Sequence, residues 1–94
     1  PNKKQILILG DMFEMGNHAK KEHLDLLIWA KQFEFEAIYL LGENFNQVSL
    51  NCDLETFSSM EKLGETLKSL NYEDTAILIK GSRGMKMERV IEYL

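Results

Sequence analysis

The sequence predicts a three-layer α/β domain, in which helices cover both faces of a mostly parallel β-sheet. Short aliphatic runs recur along the chain, and most of them end at a glycine or at a Lys-Gly pair. Between these runs lie stretches in which apolar residues have helical spacing. Runs that are apolar at successive positions are typical of parallel strands buried on both sides. A chain of 94 residues is long enough for one small domain, which we assign to residues 1–94.

The strands are predicted from these aliphatic runs. The candidates are residues 6–9, 37–41 and 76–79, with residues 54–57 as a further, short one. The first run is stopped by Gly10, the second by Gly42 and the last by Lys80-Gly81. Glycine interrupts regular structure because it adopts backbone conformations that other residues avoid. We therefore expect loops to leave the sheet at these positions.

Three stretches with apolar residues three and four positions apart are predicted to be helices. The first spans residues 18–34, and its apolar face comprises Ala19, His23, Leu26, Leu27, Ala30 and Phe33. The second is expected to begin with a capping box, in which the Ser58 hydroxyl accepts from the Glu61 amide. Its stripe then comprises Met60, Leu63, Leu67 and Leu70. The third stripe comprises Met87, Val90, Ile91 and Leu94. Residues 43–50 have weaker periodicity and are a candidate for a short helix.

Composition and charge exclude several classes of protein. The hydrophobic share of 45% and the charged share of 28% are ordinary for a soluble globular domain. A net charge of −4 argues against a nucleic-acid or an anionic-membrane partner, since both require a basic surface. No apolar run approaches the roughly 20 residues of a membrane helix, and no signal peptide is evident. The single cysteine, Cys52, excludes a disulfide framework within the chain and favours a reducing, cytoplasmic setting.

The loops that follow the strands are where chemistry is expected. In open parallel sheets, ligands bind beyond the carboxyl ends of the strands. The loops at this edge are residues 10–16, 42–44 and 80–84. In the first loop, Asp11 could hold a metal, an ammonium group or a partner cation, or it could cap a helix or a turn. Glu14 is expected to be solvated, and Met12 and Met15 could form an apolar wall.

The two histidines are expected to have different environments. His23 lies on the apolar face of the first helix, where a lone histidine is more often a hydrogen-bonded core residue than a ligand. His18 lies at the start of that helix and is expected at the surface. Because neither has an acidic partner at metal-ligand spacing, no metal site is predicted.

Lys80 and Arg83 form the sharpest candidate for a binding site. Loop amides and the start of the last helix create a corner that favours anions, and Ser82 could cap that helix. Arg83 could bind a carboxylate or a phosphate with two parallel hydrogen bonds. Alternatively, both cations are solvated, or one of them pairs with Asp11. The loop is not a phosphate-binding P-loop, and the chain contains neither that motif nor G-x-G-x-x-G.

Two of these loops resemble a known family. The segments ILILGDMFEMG (6–16), followed by Glu22-His23, and ILIKGSRGMKMERVIEYL (77–94) are similar to the carboxy-terminal domain of Mur ligases. The paired GDM and KGSR loops are typical of the branch that adds D-alanyl-D-alanine. The strand that ends at Gly42 also fits, with Glu36 where the family often has aspartate. Residues 43–57 carry no match.

This resemblance implies that residues 1–94 are part of the Rossmann-like, carboxy-terminal domain of a larger ATP-dependent ligase, without its amino-terminal and central domains. The complete ligase is expected to act in peptidoglycan precursor synthesis in the cytoplasm. The complete enzyme joins D-alanyl-D-alanine to UDP-N-acetylmuramoyl-tripeptide. ATP and Mg²⁺ are expected to bind the central domain of the same polypeptide, and this chain alone is expected to bind neither and to be inactive. The residues that match the family loops, and so are expected to border the dipeptide and the γ-phosphate, are Asp11, Met12, His23, Lys80, Gly81, Ser82 and Arg83. No catalytic residue is assigned to this chain.

Two other classes remain open from the sequence. A sister ligase of the Mur or folylpolyglutamate type would share the architecture but lacks the paired GDM and KGSR loops. A receiver-like signalling module also has an aspartate after its first strand and a lysine after its last. Such modules, however, require a pair of acids after the first strand and an acceptor aspartate after a middle strand. Here Met12 follows Asp11, and the middle strand ends in Gly42-Glu43.

Overall fold

The computed structural model of the protein describes residues 4–13, 16–49 and 54–94, and its sheet confirms the predicted fold class. The strands are β1 (Lys4–Gly10), β2 (Ala37–Leu41), β3 (Glu55–Phe57) and β4 (Thr75–Lys80). They form one four-stranded sheet in the order β3-β2-β1-β4, and every pairing is parallel. All the predicted strands are therefore present. The expectations for Glu14, Met15 and Cys52 concern positions outside the described residues.

Helices cover the two faces of this sheet, as the continuous apolar runs predict. The helices are α1 (Ala19–Ala30), α2 (Glu43–Val48) and α3 (Met60–Lys68), with 3₁₀ segments at Gly16–His18, Arg83–Met85 and Met87–Tyr93. Leu7 and Leu9 of β1 pack with α1 and α2. Ile6 and Ile8 pack on the opposite face with α3 and the last 3₁₀ segment. Alternate residues of β1 thus belong to different cores, which places this strand at the centre of the domain. No helix in the described ranges is long and apolar enough to cross a membrane.

The start of α3 differs from the predicted capping box by one residue. Ser59, not Ser58, is the N-cap: its backbone is extended, and its hydroxyl accepts from the Lys62 amide at 3.2 Å. The prediction was wrong because the extended backbone of Ser59 keeps that residue outside the helix, so its own hydroxyl takes the capping position. With Met60 as the first helical residue, Leu63 and Leu67 follow on the buried face.

Two other predicted apolar faces are partly wrong. α1 ends at Ala30, so Phe33 lies in the following turn and is 48% exposed. The final segment is a 3₁₀ helix, which has three residues per turn instead of 3.6. Met87 and Val90 are therefore buried at a spacing of three, whereas Ile91 is 64% exposed. Leu94, which follows the segment, is 45% exposed.

The contact between α3 and the last 3₁₀ segment gives a testable prediction. Gly64 is buried in α3, and an added Cβ would meet the Tyr93 ring, with Cγ only 2.6 Å away. Gly64→Ala should lower the free energy of unfolding even though alanine favours helices over glycine by about 1 kcal/mol. Urea unfolding followed by circular dichroism measures this, with Glu65→Ala, at an exposed position of the same helix, as the control. A Gly64→Ala variant more stable than the parent would contradict the contact.

Two tyrosines predict how stability changes at alkaline pH. Burial raises the pKa of Tyr72 above its ordinary value of 10.0, and its hydroxyl donates to the Leu67 carbonyl. Burial, and then the Glu55 carboxylate, also raise the pKa of Tyr39. The neutral forms are favoured by folding, so this stability is complete below the unfolded-state pKa of about 10 and is lost as pH rises through the folded-state pKa. We expect Tyr72→Phe to flatten the decline of unfolding free energy above about pH 10. A decline of unchanged slope would argue against the role of Tyr72.

Candidate functional site

The loops after β1 and β4 lie side by side at the carboxyl edge of the sheet. Leu9 is paired with Lys80 in the parallel register, so the two strands end together. The Ser82 amide donates to the Asp11 carbonyl at 3.1 Å, and the Ser82 hydroxyl accepts from the Phe13 amide at 2.7 Å. Ser82 therefore links the two loops. The sequence suggested that its hydroxyl caps the last helix, but among the described residues that hydroxyl binds the Phe13 amide instead. The GDM and KGSR loops form one structural unit.

A cavity of about 250 Å³ opens between these loops and α1. Its lining comprises Gly10, Met12, Leu26, Lys80, Gly81 and Ser82. The structure thus brings together Met12, Lys80, Gly81 and Ser82 from the predicted site. Leu26 was not among the predicted site residues, because on α1 it has the spacing of any core-facing leucine. The wall is mostly apolar, and the Lys80 ammonium is the one charged group among the lining residues.

Asp11 is buried next to this cavity, where it caps another helix. It is 4% exposed, and its carboxylate accepts from the Asn44 amide at 2.9 Å and the Phe45 amide at 3.1 Å. These are amides of the first turn of α2, so the carboxylate satisfies helix donors that have no partner within the helix. The capping interpretation of Asp11 is confirmed. In the described part of the chain Asp11 makes no ion pair with Lys80.

Gly42 completes this arrangement at the start of α2. Its φ of +123° lies in the region that favours glycine, and an added Cβ would collide with the Asp11 carboxyl group. A glycine here permits both the turn out of β2 and the close approach of the carboxylate. The sequence predicted a loop at residues 42–44, but Glu43 and Asn44 already belong to α2, the candidate short helix, and Asp11 ties its start to the first loop.

His23 is the second buried polar group behind the cavity. It is 0% exposed, and its ring lies edge-on to Phe45, with centroids 4.6 Å apart. The Met12 amide donates to His23 Nε2 at 2.9 Å, and His23 Nδ1 lies 2.6 Å from the Ala19 carbonyl oxygen. Because Nε2 accepts, the proton must be on Nδ1, and the imidazole is neutral. His18, as expected, is exposed.

The backbone of the last loop places Lys80 and Arg83 at the same edge of the sheet. Lys80 is the final residue of β4 and is exposed, and Arg83 begins the adjacent 3₁₀ turn Arg83–Met85. A second cavity of about 250 Å³ lies beyond β2 and β3. It is lined by Gly42, Glu43, Asn46, Thr56, Phe57, Ser58 and Lys62. Within the described ranges, no three histidine, cysteine or acidic side chains are grouped closely enough to hold a metal.

Comparisons with known proteins agree with the similarity of the GDM and KGSR loops to Mur ligases. No family model matches the chain. It is 36% identical, over 94% of its length, to a UDP-N-acetylmuramoyl-tripeptide–D-alanyl-D-alanine ligase from Borreliella burgdorferi. It is 32% identical, over 96% of its length, to a ligase of the same description from Buchnera aphidicola. The chain spans about 20% of the length of these curated relatives.

Solved structures give the same result for the fold. Crystal structure II of MurF from Acinetobacter baumannii matches 98% of the chain with a TM-score of 0.82 at 24% identity, over 22% of its own length. The structure of MurF ligase from Thermotoga maritima in complex with ADP matches 99% of the chain with a TM-score of 0.75 at 22% identity, also over 22% of its length. The predicted resemblance to a carboxy-terminal Mur ligase domain is therefore confirmed for sequence and for fold.

Proposed function

From this similarity we propose that residues 1–94 are the carboxy-terminal, substrate-binding domain of an ATP-dependent ligase. The complete enzyme would join D-alanyl-D-alanine to UDP-N-acetylmuramoyl-tripeptide during peptidoglycan precursor synthesis. One structural observation carries the proposal: the GDM and KGSR loops, which carry the resemblance, together build the cavity lined by Met12, Lys80, Gly81 and Ser82. The relatives that match nearly the whole chain are ligases with this substrate pair in their names.

The cavity suits a small substrate that combines methyl groups with a carboxylate. Met12 and Leu26 provide apolar wall for the methyl groups of the dipeptide. Lys80 borders the same space and, with Arg83, would meet the dipeptide carboxylate or the transferred phosphoryl group. Cations that are already in place act there by orienting the reactants and by countering the charge that develops in the transition state.

In our proposal, Asp11 and His23 hold the backbone next to the cavity in place and do not themselves line it. Their side-chain hydrogen bonds go to the backbone of neighbouring elements, and both residues are buried. A receiver-like phosphoacceptor gains no support from this geometry, since the Asp11 carboxylate is already engaged by two amides.

In our proposal, ATP and Mg²⁺ are bound outside this chain. The sequence has no phosphate-binding loop motif, and the described residues contain no carboxylate group arranged as a metal site. We propose that the central domain of the same polypeptide binds both, and that the present domain approaches it with the carboxyl edge of its sheet. A cytoplasmic location belongs to the same proposal and accords with the single cysteine.

The test is phosphate release from ATP by the complete polypeptide in the presence of UDP-N-acetylmuramoyl-tripeptide, with and without D-alanyl-D-alanine. We expect release that depends on the dipeptide, and no comparable release with L-alanyl-L-alanine. A polypeptide that binds ATP but releases phosphate independently of the dipeptide would move the assignment to a sister ligase.

A further inference from the structure

The starting observation is the way three successive amides of the first loop are held. The Asp11 amide donates to the Leu41 carbonyl at 3.0 Å, and the Phe13 amide donates to the Ser82 hydroxyl at 2.7 Å. Between them, the Met12 amide donates to His23 Nε2 at 2.9 Å. Each amide is thus bound by a different element: β2, the last loop and α1. The middle hydrogen bond is the one that fixes Met12, whose side chain lines the cavity.

We propose that His23 is a positioning residue for ligation, which holds Met12 in the wall of the cavity by accepting its amide proton. The kinetic consequences of this inference rest on the proposed function, whereas its structural basis is independent of that function. His23 cannot itself contact a ligand in this arrangement, because it is fully buried and both ring nitrogens are engaged by backbone groups. It acts on the cavity only through Met12.

A neutral imidazole suits this role because it has a donor and an acceptor at opposite sides of one rigid ring. Nδ1–H donates to the Ala19 carbonyl at the start of α1, and Nε2 accepts from the loop, so the ring joins the helix to the loop. Phe45 packs edge-on against the ring and fixes its orientation. A leucine would fill similar space but would leave the Met12 amide without an acceptor.

The nearby carboxylate does not change this assignment. Asp11 Oδ1 lies 3.9 Å from His23 Nε2, which is too far for a hydrogen bond. The Met12 N–H requires the Nε2 lone pair, so that nitrogen has no proton to offer to Asp11. The carboxylate is held by the amides of Asn44 and Phe45 instead.

The kinetic experiment compares His23→Leu with His23→Gln in the complete ligase. The glutamine side chain can accept from the Met12 amide and donate to the Ala19 carbonyl, whereas leucine can do neither. Because a misplaced group in an active site can cost roughly 10²-fold, we expect His23→Leu to lower kcat/KM for the dipeptide by that order. The KM for ATP should stay unchanged, and His23→Gln should restore a large part of the loss. His18→Leu, at the exposed histidine before the same helix, is the matched control.

Two measurements keep the inference separable from the proposed function. Nitrogen-15 NMR of the imidazole should show the neutral tautomer with its proton on Nδ1. Hydrogen exchange at the Met12 amide should be slow in the parent and in His23→Gln, and at least about tenfold faster in His23→Leu. A parent without dipeptide-dependent activity would refute the proposed function, and these two readouts would still decide the role of His23.

Several results would overturn the inference. A proton on Nε2, or an unchanged exchange rate at Met12 in His23→Leu, would remove its structural basis. A folded His23→Leu enzyme with parental kinetics would show that the position of Met12 does not matter for ligation. Equal losses in the leucine and glutamine variants would show that ring packing, and not the hydrogen bond, is what the site needs.

Discussion

Replacing Asp11 with alanine should destabilise the domain by roughly 3–5 kcal/mol, because a buried carboxylate that accepts one buried and one partly buried hydrogen bond is lost. The amides of Asn44 and Phe45 would be left without their acceptor at the start of α2. The favourable interaction between the negative charge and the helix start would be lost as well. Since small domains have total stabilities of about 5–15 kcal/mol, this one change removes a large share of the total.

Urea unfolding followed by circular dichroism is the measurement, and the chain contains a matched control. Asp25 pairs with Lys21 at 2.7 Å on the exposed face of α1, and such surface pairs contribute about 0–1 kcal/mol. Asp25→Ala should therefore have little effect. Asp11→Asn should lie between the two, because it keeps one acceptor but turns an NH₂ group toward the second amide. If Asp11→Ala were no more harmful than Asp25→Ala, the capping role of Asp11 would be refuted.

Lys80→Ala and Arg83→Ala should each lower kcat/KM of the complete ligase, with folding intact. Preorganised groups that stabilise developing charge typically contribute about 10²–10³-fold, and we expect losses of this order in at least one of the two variants. Lys80 is exposed at the end of β4 and makes no ion pair within the described residues, so its removal leaves no buried partner unsatisfied. The loss should therefore appear in kinetics and not in unfolding.

The control for this experiment is Lys31→Ala. Lys31 is exposed and follows the last residue of α1, outside the cavity, so it shares the charge of Lys80 but not its location. Steady-state rates with varied D-alanyl-D-alanine and varied ATP would separate the two anions that Lys80 and Arg83 could meet. Parental kinetics for both Lys80→Ala and Arg83→Ala would remove the KGSR loop from the site.

The layers and the order of the elements could be predicted from local sequence patterns. Short continuous aliphatic runs are typical of strands covered on both faces, and the glycines that follow them mark the carboxyl edge of the sheet. This local information also led to the loops after β1 and β4, whose residues Gly10, Met12, Lys80, Gly81 and Ser82 line one cavity. Sequence patterns were less informative near the ends of the helices. Ser58 was predicted to be an N-cap and is not, and Phe33 and Ile91 were predicted on buried faces and are exposed.

The hydrogen-bond partners of the polar side chains could not be predicted without the fold. Asp11 binds amides 33 and 34 positions away, His23 binds an amide 11 positions away, and the Ser82 hydroxyl binds an amide 69 positions away. A short polar side chain has many possible partners along the sequence, and the folded backbone selects one of them by distance and burial. An apolar run favours burial whichever segment covers it, whereas a hydrogen bond requires two particular segments to meet. The sheet could therefore be predicted from the sequence, and the polar contacts at its edge could not.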